Sequence, residues 1–556
     1  MRIDLVRLDP QESPPEAAFA WPLGESWRIQ PTPAALAGFA APSGSSHLLF
    51  WSHELAPPDP QVVAAIAGRP GEVHHAGLLL GQGGRPRTLD FVHPTWMLHR
   101  DPPAEITASS WRLSLRALLV PASRWQSGGP RGTYRTLDAA ALELGWRWLW
   151  QGALLRHQPD LLSLGERPGG DFLPLEDELR FLSDTAGKKW TYWAIVRAGL
   201  SGHRRMVDLW RGWKNLQETG CAGVPPASGK GAGETPAHPV LPDAAGTPAL
   251  PAGNPSVTVL VPTLDRYPYL LKLLEQLGEQ TVPALEILVI DQTARERRRH
   301  DLAALFPRLP LRIFERDLPG QCSSRNAGLA AAEGDYVLFL DDDDEIKPDL
   351  IARHLAALAR SGGEVSCGVA DELGAGPLPP EFERRRLADV FPTNNSLIRR
   401  DLLERSGLFD LAYEKGARAD ADLGHRLYLA GALMVLEPEI RVLHHHAPAG
   451  GLRTHGARKA TFARSRNRLF ARHLPEPTEI YLMLRYFSPR QVAEALRQRA
   501  AGTFAVRGGR LRQWSRRLWA LLMLPDTLVR IAWRRRRALS LLGEYPRIPS
   551  LRGDDP

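Results

Sequence analysis

The 556 residues exceed one ordinary core, so two or three domains are expected. A composition of 43% hydrophobic and 24% charged residues is that of a globular protein and excludes a disordered or fibrous chain. The net charge of +8 admits nucleic acid, anionic lipid or a phosphorylated small molecule as partner.

Taken in chain order, residues 1–215 carry no motif when read alone. The opening MRIDLVRLDP lacks a basic region followed by a long apolar run, and no stretch of the chain approaches the roughly 18 apolar residues of a membrane span. Residues 216–255 are mostly Pro, Gly and Ala, too poor in apolar surface to order themselves, and read as a linker. The three cysteines, Cys221, Cys322 and Cys367, give neither a disulfide framework nor a zinc spacing, which fits a reducing cytoplasm.

After the linker the pattern becomes regular. VTVLV (257–261), EILVID (286–291), LRIFE (311–315) and YVLFL (336–340) read as strands, with an amphipathic helix at LLKLLEQL and a second around SSRNAGLAAA. This alternation predicts an α/β domain with a mostly parallel sheet flanked by helices. Ligands of such sheets bind beyond the carboxyl ends of the strands, where Thr263, Asp265, Asp291 and four consecutive aspartates, 341–344, fall. Alternate carboxylates in a turn converge on a hard divalent cation, and Mg²⁺ or Mn²⁺ takes one or two carboxylates together with a diphosphate. Further on, Asn394 and Asn395 precede a helix starting near Asp401, where plain turn chemistry is an equal explanation. His444, His445 and His446 close an apolar run. Between Gly509 and Arg537, Arg alternates with Trp and Leu at helical spacing, broken at Pro525. That segment reads as a membrane-surface or partner-binding helix, or as a solvated helix packing its Leu/Trp face; four consecutive arginines beside Trp533 favour an anionic membrane surface. No stacking module for nucleic acid is present, so none is expected as partner.

VTVLVPTLDR, EILVIDQT, GQCSSRNAGLAAAEGDYVLFLDDDDEIKPD, FPTNNSLIRRDLLERSGLFD and ADADLGHRLYLAG occur in that order over residues 256–455. Together they resemble the family 2 glycosyltransferases of GT-A fold. The resemblance implies an inverting transfer of a sugar from a nucleoside-diphosphate donor to an acceptor hydroxyl, with Mn²⁺ or Mg²⁺ as cofactor and a glycan or lipid-linked acceptor. It places Pro262, Thr263, Asp265, Asp291, Arg325, Asp341 and Asp342 on the nucleotide sugar, and Asp341, Asp343 and His444 on the metal, with Asp344 in support. Asp265 stands where the family often has Asn. Asp420 falls on the catalytic base, although the Glu that usually precedes it is Ala419 here; Asn394, Asn395 and Asp422 fall on the acceptor side. A peripheral location at the inner face of the cell membrane follows by analogy. A catalytically inactive glycan-binding or scaffold protein of the same fold is the alternative, while a nucleotidyltransferase would want a Gly-rich loop that PTLDRYP does not offer.

The first half reads as a second, decayed copy, with chance similarity between two Leu-rich helices as the alternative. Residues 143–161 align without a gap to 422–440 with seven of nineteen positions identical, and 47–60 overlies the aspartate run, placing Ser52, His53 and Glu54 at the metal-binding positions and Ala141 at that of Asp420. Internal repeats change the fold expectation. Four regions are expected: a degenerate, non-catalytic GT-A-like domain (1–215), the linker (216–255), the catalytic domain (256–455) and a basic helical region (456–556).

Overall fold

The structure is a computed structural model and describes residues 1–10, 21–77, 88–89, 97–163, 165–166, 173–200, 204–218, 255–374, 378–448, 450–452, 469–472, 474–506 and 508–551. Most of the expected linker, and residues 453–455 at the expected end of the catalytic domain, lie outside these.

The first half contains β1 (Ile3–Leu8), β2 (Ser26–Ile29), α1 (Pro33–Ala37), β3 (His47–Ser52), α2 (Pro60–Ala67), β4 (Val73–His75), β5 (Ala108–Ser109), β6 (Ala117–Pro121), α3 (Ala122–Gln126), α4 (Leu137–Trp150) and β7 (Leu155–His157). Helices α5 (Leu175–Ala186), α6 (Lys188–Leu200) and α7 (Met206–Glu218) follow. The second half contains β8 (Val257–Thr263), α8 (Tyr267–Gly278), β9 (Glu286–Asp291), α9 (Leu302–Leu305), β10 (Leu311–Glu315), α10 (Gln321–Ala331), β11 (Tyr336–Phe339), β12 (Asp344–Glu345), α11 (Leu350–Ser361), β13 (Val365–Glu372), β14 (Arg386–Leu387), β15 (Ser396–Arg399), α12 (Leu402–Ser406), α13 (Ala419–Leu429) and β16 (Met434–His444). The C-terminal region is helical, as expected: α14 (Pro477–Tyr486), α15 (Pro489–Gly502), α16 (Arg510–Leu522) and α17 (Leu524–Glu544).

The strand order of the second sheet is β10-β9-β8-β11-β15-β13-β16-β12, with β14 on β16. Strands β10, β9, β8 and β11 are mutually parallel. Strand β15 enters antiparallel between β11 and β13, so the sheet as a whole is mixed. Its aliphatic strands are buried on both faces, which is why they read as continuous apolar runs.

The first sheet runs β2-β1-β3-β6-β4-β7-β5. Matched to the second, β1, β2, β3, β4, β5, β6 and β7 take the places of β8, β9, β11, β13, β14, β15 and β16, with the same neighbours and directions. Helices α2, α3 and α4 likewise occupy the places of α11, α12 and α13. Among the described residues the first half has no counterpart of β10, the edge strand beside β9.

Local chemistry repeats as well. In α4, Glu143 pairs with Arg147 at 3.0 Å, and Arg147 reaches the Gly128 carbonyl just past α3. In α13, Asp422 pairs with Arg426 at 2.8 Å, and Arg426 reaches the Ser406 carbonyl at the end of α12. The aligned glycines Gly152 and Gly431, which turn each helix into the next strand, both sit at φ +87°, a left-handed conformation that favours glycine.

The two halves meet through equivalent surfaces. A Cβ on Gly152 would lie 2.6 Å from the Arg385 carbonyl oxygen, next to β14; a Cβ on Gly431 would lie 2.4 Å from that of Thr107, next to β5. Reciprocal contacts of this kind are the mark of an isologous interface. Arg156 donates to the Gly431 carbonyl at 3.1 Å, and Tyr428 donates to that of Arg100 at 2.8 Å. One buried apolar cluster runs from Phe50, Leu118 and Trp148 through Phe391, Leu427 and Leu436 to Ile480 and Ile531. Each such side chain contributes roughly 1.5–3 kcal/mol on burial, so the halves and the C-terminal helices share one core.

Candidate active site

The site forms where strand ends converge. Thr263 and Asp291 are register partners at the carboxyl ends of β8 and β9. The aspartate run leaves β11 beside β8, and Asp344 of β12 pairs antiparallel with His444, the last residue of β16.

Four adjacent carboxylates are tolerated because each is turned to a different donor. Asp341, half-buried, accepts from Arg325 at 2.8 Å. Asp342 accepts from Thr263 Oγ1 at 2.8 Å and from Arg266 at 3.1 Å. Asp343 accepts from the same Arg266 nitrogen at 3.1 Å and from the Ala447 amide at 2.7 Å. Asp344 accepts from the Asp341 amide at 2.8 Å, lies 2.9 Å from His444 Nδ1, and accepts from Asn394 at 3.4 Å.

Burial pushes Asp342 up to about 7, against the opposing charge of Arg266. Burial, with the nearby charge of Asp341, also pushes Asp344 up to about 7, while the hydrogen bond to His444 draws it back. Burial alone would lower His444, but its hydrogen bond to Asp344 and the charges of Asp341, Asp344 and Asp343 raise it to about 9. Arg266, Arg325 and His444 are therefore cations facing this carboxylate cluster.

One ligand atom each from Asp341, Asp343 and His444 lie within 4.8 Å of one another. Two carboxylates and an imidazole fit a divalent cation with both oxygen and nitrogen affinity; Mn²⁺ meets this better than Mg²⁺, which prefers oxygen alone.

Pro262, Asp265 and Asp291 lie at or just past the ends of β8 and β9, and Asp420 lies on α13. Asp291 accepts from the Thr293 amide at 2.9 Å and from Tyr267 Oη at 2.6 Å. Pro262 lies in β8 opposite Ile290. Asp265 has φ +56° and an ion pair to Arg297 at 2.8 Å. Asp420 is exposed in the first turn of α13, just after Arg418, whose φ is +87°.

Two residues expected on the acceptor side are turned inward. Asn395 is fully buried, donating to the carbonyls of Val369 and Ile440 at 3.0 Å each, with its own oxygen 2.9 Å from His354 Nε2. Asp422 is fully buried and accepts from Tyr486 at 2.7 Å and from Arg426 at 3.0 and 2.8 Å. Its counterpart Glu143 keeps the same arginine pair in the half where Ala141 stands at the position of Asp420, so the pair recurs independently of that position. Asn394 alone of the three reaches the carboxylate cluster.

Sequence reasoning missed Arg266, which bridges two aspartates more than seventy residues away; the turn PTLDRYP holds no signal for so distant a contact. It also missed Glu414, which accepts from the Cys322 and Ser323 amides at 2.7 and 3.1 Å and so closes the N-terminus of α10, the helix carrying Arg325. A carboxylate there satisfies amides that have no partner within the helix.

Residues 258–409 match the model of the family described as glycosyl transferase family 2. An uncharacterized glycosyltransferase of Bacillus subtilis (strain 168), YwdF, is 27% identical over 170 residues, covering 28% of this chain and 62% of that protein. The succinoglycan biosynthesis protein ExoM of Rhizobium meliloti (strain 1021) is 28% identical over 192 residues, covering 31% and 62%. The chain thus covers less than two thirds of either relative. Among solved structures, the mannosyltransferase PcManGT of Pyrobaculum calidifontis, in complex with GDP-Man and Mn²⁺, is 19% identical at a TM-score of 0.31, covering 52% of this chain and 74% of that one. Residues 1–349 of S. aureus TarS in complex with UDP-GlcNAc give 16% and 0.33, covering 51% and 89%.

Proposed function

We propose that the chain, whose residues 258–409 match the glycosyl transferase family 2 model, is an inverting, metal-dependent glycosyltransferase acting from a nucleoside-diphosphate sugar. The observation that carries this reading is the gathering of Asp341, Asp343 and His444 within 4.8 Å at the carboxyl edge of the sheet. These three residues would hold Mn²⁺. When bound, the cation supplies Lewis-acid stabilisation of the charge that develops on the leaving diphosphate.

The chain's own groups do the rest. Thr263 and Asp291 line the base and ribose end, and Arg325, fixed on α10 by the Glu414 clasp, offers a cation to the diphosphate. Arg266 holds Asp342 and Asp343 in place, so their carboxylates need not reorganise. Asp420, exposed at the start of α13, takes the proton from the acceptor hydroxyl, a contribution of typically ~10²–10⁴-fold. A single displacement inverts the anomeric centre. Two described thiols offer no covalent route: burial raises Cys322, and burial pushes Cys367 up to about 12.

The acceptor class is a surface polysaccharide or lipid-linked glycan, met at the inner face of the cell membrane. It is supported by relatives named for succinoglycan biosynthesis and for poly(ribitol-phosphate) β-N-acetylglucosaminyl transfer. The first half, with Ser52, His53 and Glu54 at the metal-binding positions and Ala141 in place of the base, is a non-catalytic partner.

Release of nucleoside diphosphate from a panel of sugar donors, with membrane extract as acceptor, tests the reading. The Asp420→Asn variant should lose transfer by the factor above and keep Mn²⁺-dependent nucleotide binding; full transfer would refute the base. The Asp343→Ala variant should lose the metal dependence of nucleotide binding, and identical titrations with and without Mn²⁺ would refute the metal site.

A further inference from the structure

Helix α16 packs the wrong way round for an ordinary surface helix. At about 100° per residue, Leu511, Trp514, Leu518, Leu521 and Leu522 fall within an arc of about 100°. That arc faces solvent: Leu511 is 83% exposed, Trp514 66%, Leu518 71% and Leu522 76%. The opposite side, Arg516 and Ala520, is the buried one. Arg516 is held inside by the carbonyls of Thr503, Leu469 and Ala471 and lies over the Trp519 ring, so this orientation is built into the fold.

Helix α17 repeats the arrangement. It buries Thr527, Ile531, Ala538 and Leu541, and leaves Leu528, Val529 and Trp533 exposed beside the exposed Arg535 and Arg536. Nine of the large apolar side chains found exposed among the described residues lie between Leu511 and Leu539. Gly509 to Glu544 holds nine arginines and two carboxylates, an excess nearly as large as the net +8 of the whole chain. No described helix is long and apolar enough to cross a membrane.

We infer that the outward faces of α16 and α17 form a docking surface for an anionic lipid bilayer, with Leu511, Trp514, Leu518 and Trp533 entering the headgroup boundary and Arg535 and Arg536 meeting lipid phosphates. A second copy of the chain would bring the same positive charge to the contact, whereas anionic headgroups complement it. The surface is tied to the active-site helix. Helix α14, which packs along α17, is joined to α13 and its cap by Tyr486–Asp422 at 2.7 Å and Arg418–Glu479 at 3.3 Å. Docking would therefore fix the orientation of Asp420 relative to the bilayer.

The test is co-sedimentation of the full chain with vesicles of equal parts phosphatidylcholine and phosphatidylglycerol, against phosphatidylcholine alone. No nucleotide sugar is present, so the result is independent of the transferase reading. The chain should pellet with the anionic vesicles only. An R535S/R536S variant should weaken partitioning by roughly 25-fold, about fivefold per arginine, and a W514S/L518S variant should abolish it; both change exposed side chains, and circular dichroism checks that helix content is kept. Equal binding to both vesicles, binding unchanged in both variants, or vesicle-free self-association that W514S/L518S removes would each overturn the inference, the last by showing that a second copy covers the face.

Discussion

The contact between the two halves makes a sharp demand on Gly431. An alanine there must hold φ near +87°, which costs an L-residue roughly 1–2 kcal/mol. Its Cβ would also sit 2.4 Å from the Thr107 carbonyl oxygen, a backbone atom of the other half. Relieving such an overlap by shifting packed backbone costs roughly 1–3 kcal/mol, so the Gly431→Ala variant should be about 3 kcal/mol less stable. The chain carries its own reporter. Thirteen of sixteen tryptophans lie in residues 1–215 and none in 256–455, so fluorescence reads the first half, while far-ultraviolet circular dichroism reads both. Because the core is shared, the substitution should move both urea midpoints together. If fluorescence holds its wild-type midpoint while circular dichroism shifts, the halves unfold independently and the shared-core argument fails.

Replacing Asp422 with Asn should cost about 3–5 kcal/mol, since the buried Arg426 loses its counter-charge. Nucleotide binding well below the melting point should be unchanged; unaltered stability with an impaired acceptor KM would restore Asp422 to the acceptor side. A pH dependence follows from the carboxylate and histidine cluster. With chelator present, Asp342, raised from 3.8 to about 7, stabilises the fold fully below 3.8, and this contribution is lost as pH rises through about 7. His444, raised from 6.5 to about 9, contributes fully below 6.5 and loses its contribution through about 9. Because Mn²⁺ must displace the His444 proton, the rise in melting temperature it produces should grow between pH 6.5 and 9. A shift that is constant or shrinking over that range would exclude His444 as a ligand.

The sequence shows its sheet well where strands are buried on both faces, because β-branched and aliphatic runs have no competing explanation: EILVID coincides with β9 and VTVLV falls within β8. The aspartate run was legible as a site through its place after such a strand. Side-chain direction was not. Asp420 and Asp422 are two residues apart on a helix, roughly 200° around its axis, so only one can face the core, and composition does not say which. Asn394 and Asn395 divide the same way, one toward the carboxylates and one beneath the strands. In α16 the amphipathic spacing was visible, but which face packs depends on carbonyls at 469, 471 and 503 that only folding brings to Arg516.

The reciprocal glycine contacts imply a history of constraint. An interface built from two equivalent surfaces normally binds both partners to one sequence, so neither can drift without spoiling the other. Joined in one polypeptide, the halves stay at an effective concentration of about millimolar, and each surface can specialise alone. One half is thereby free to serve as packing for the other, and each keeps a bound partner that no dilution removes.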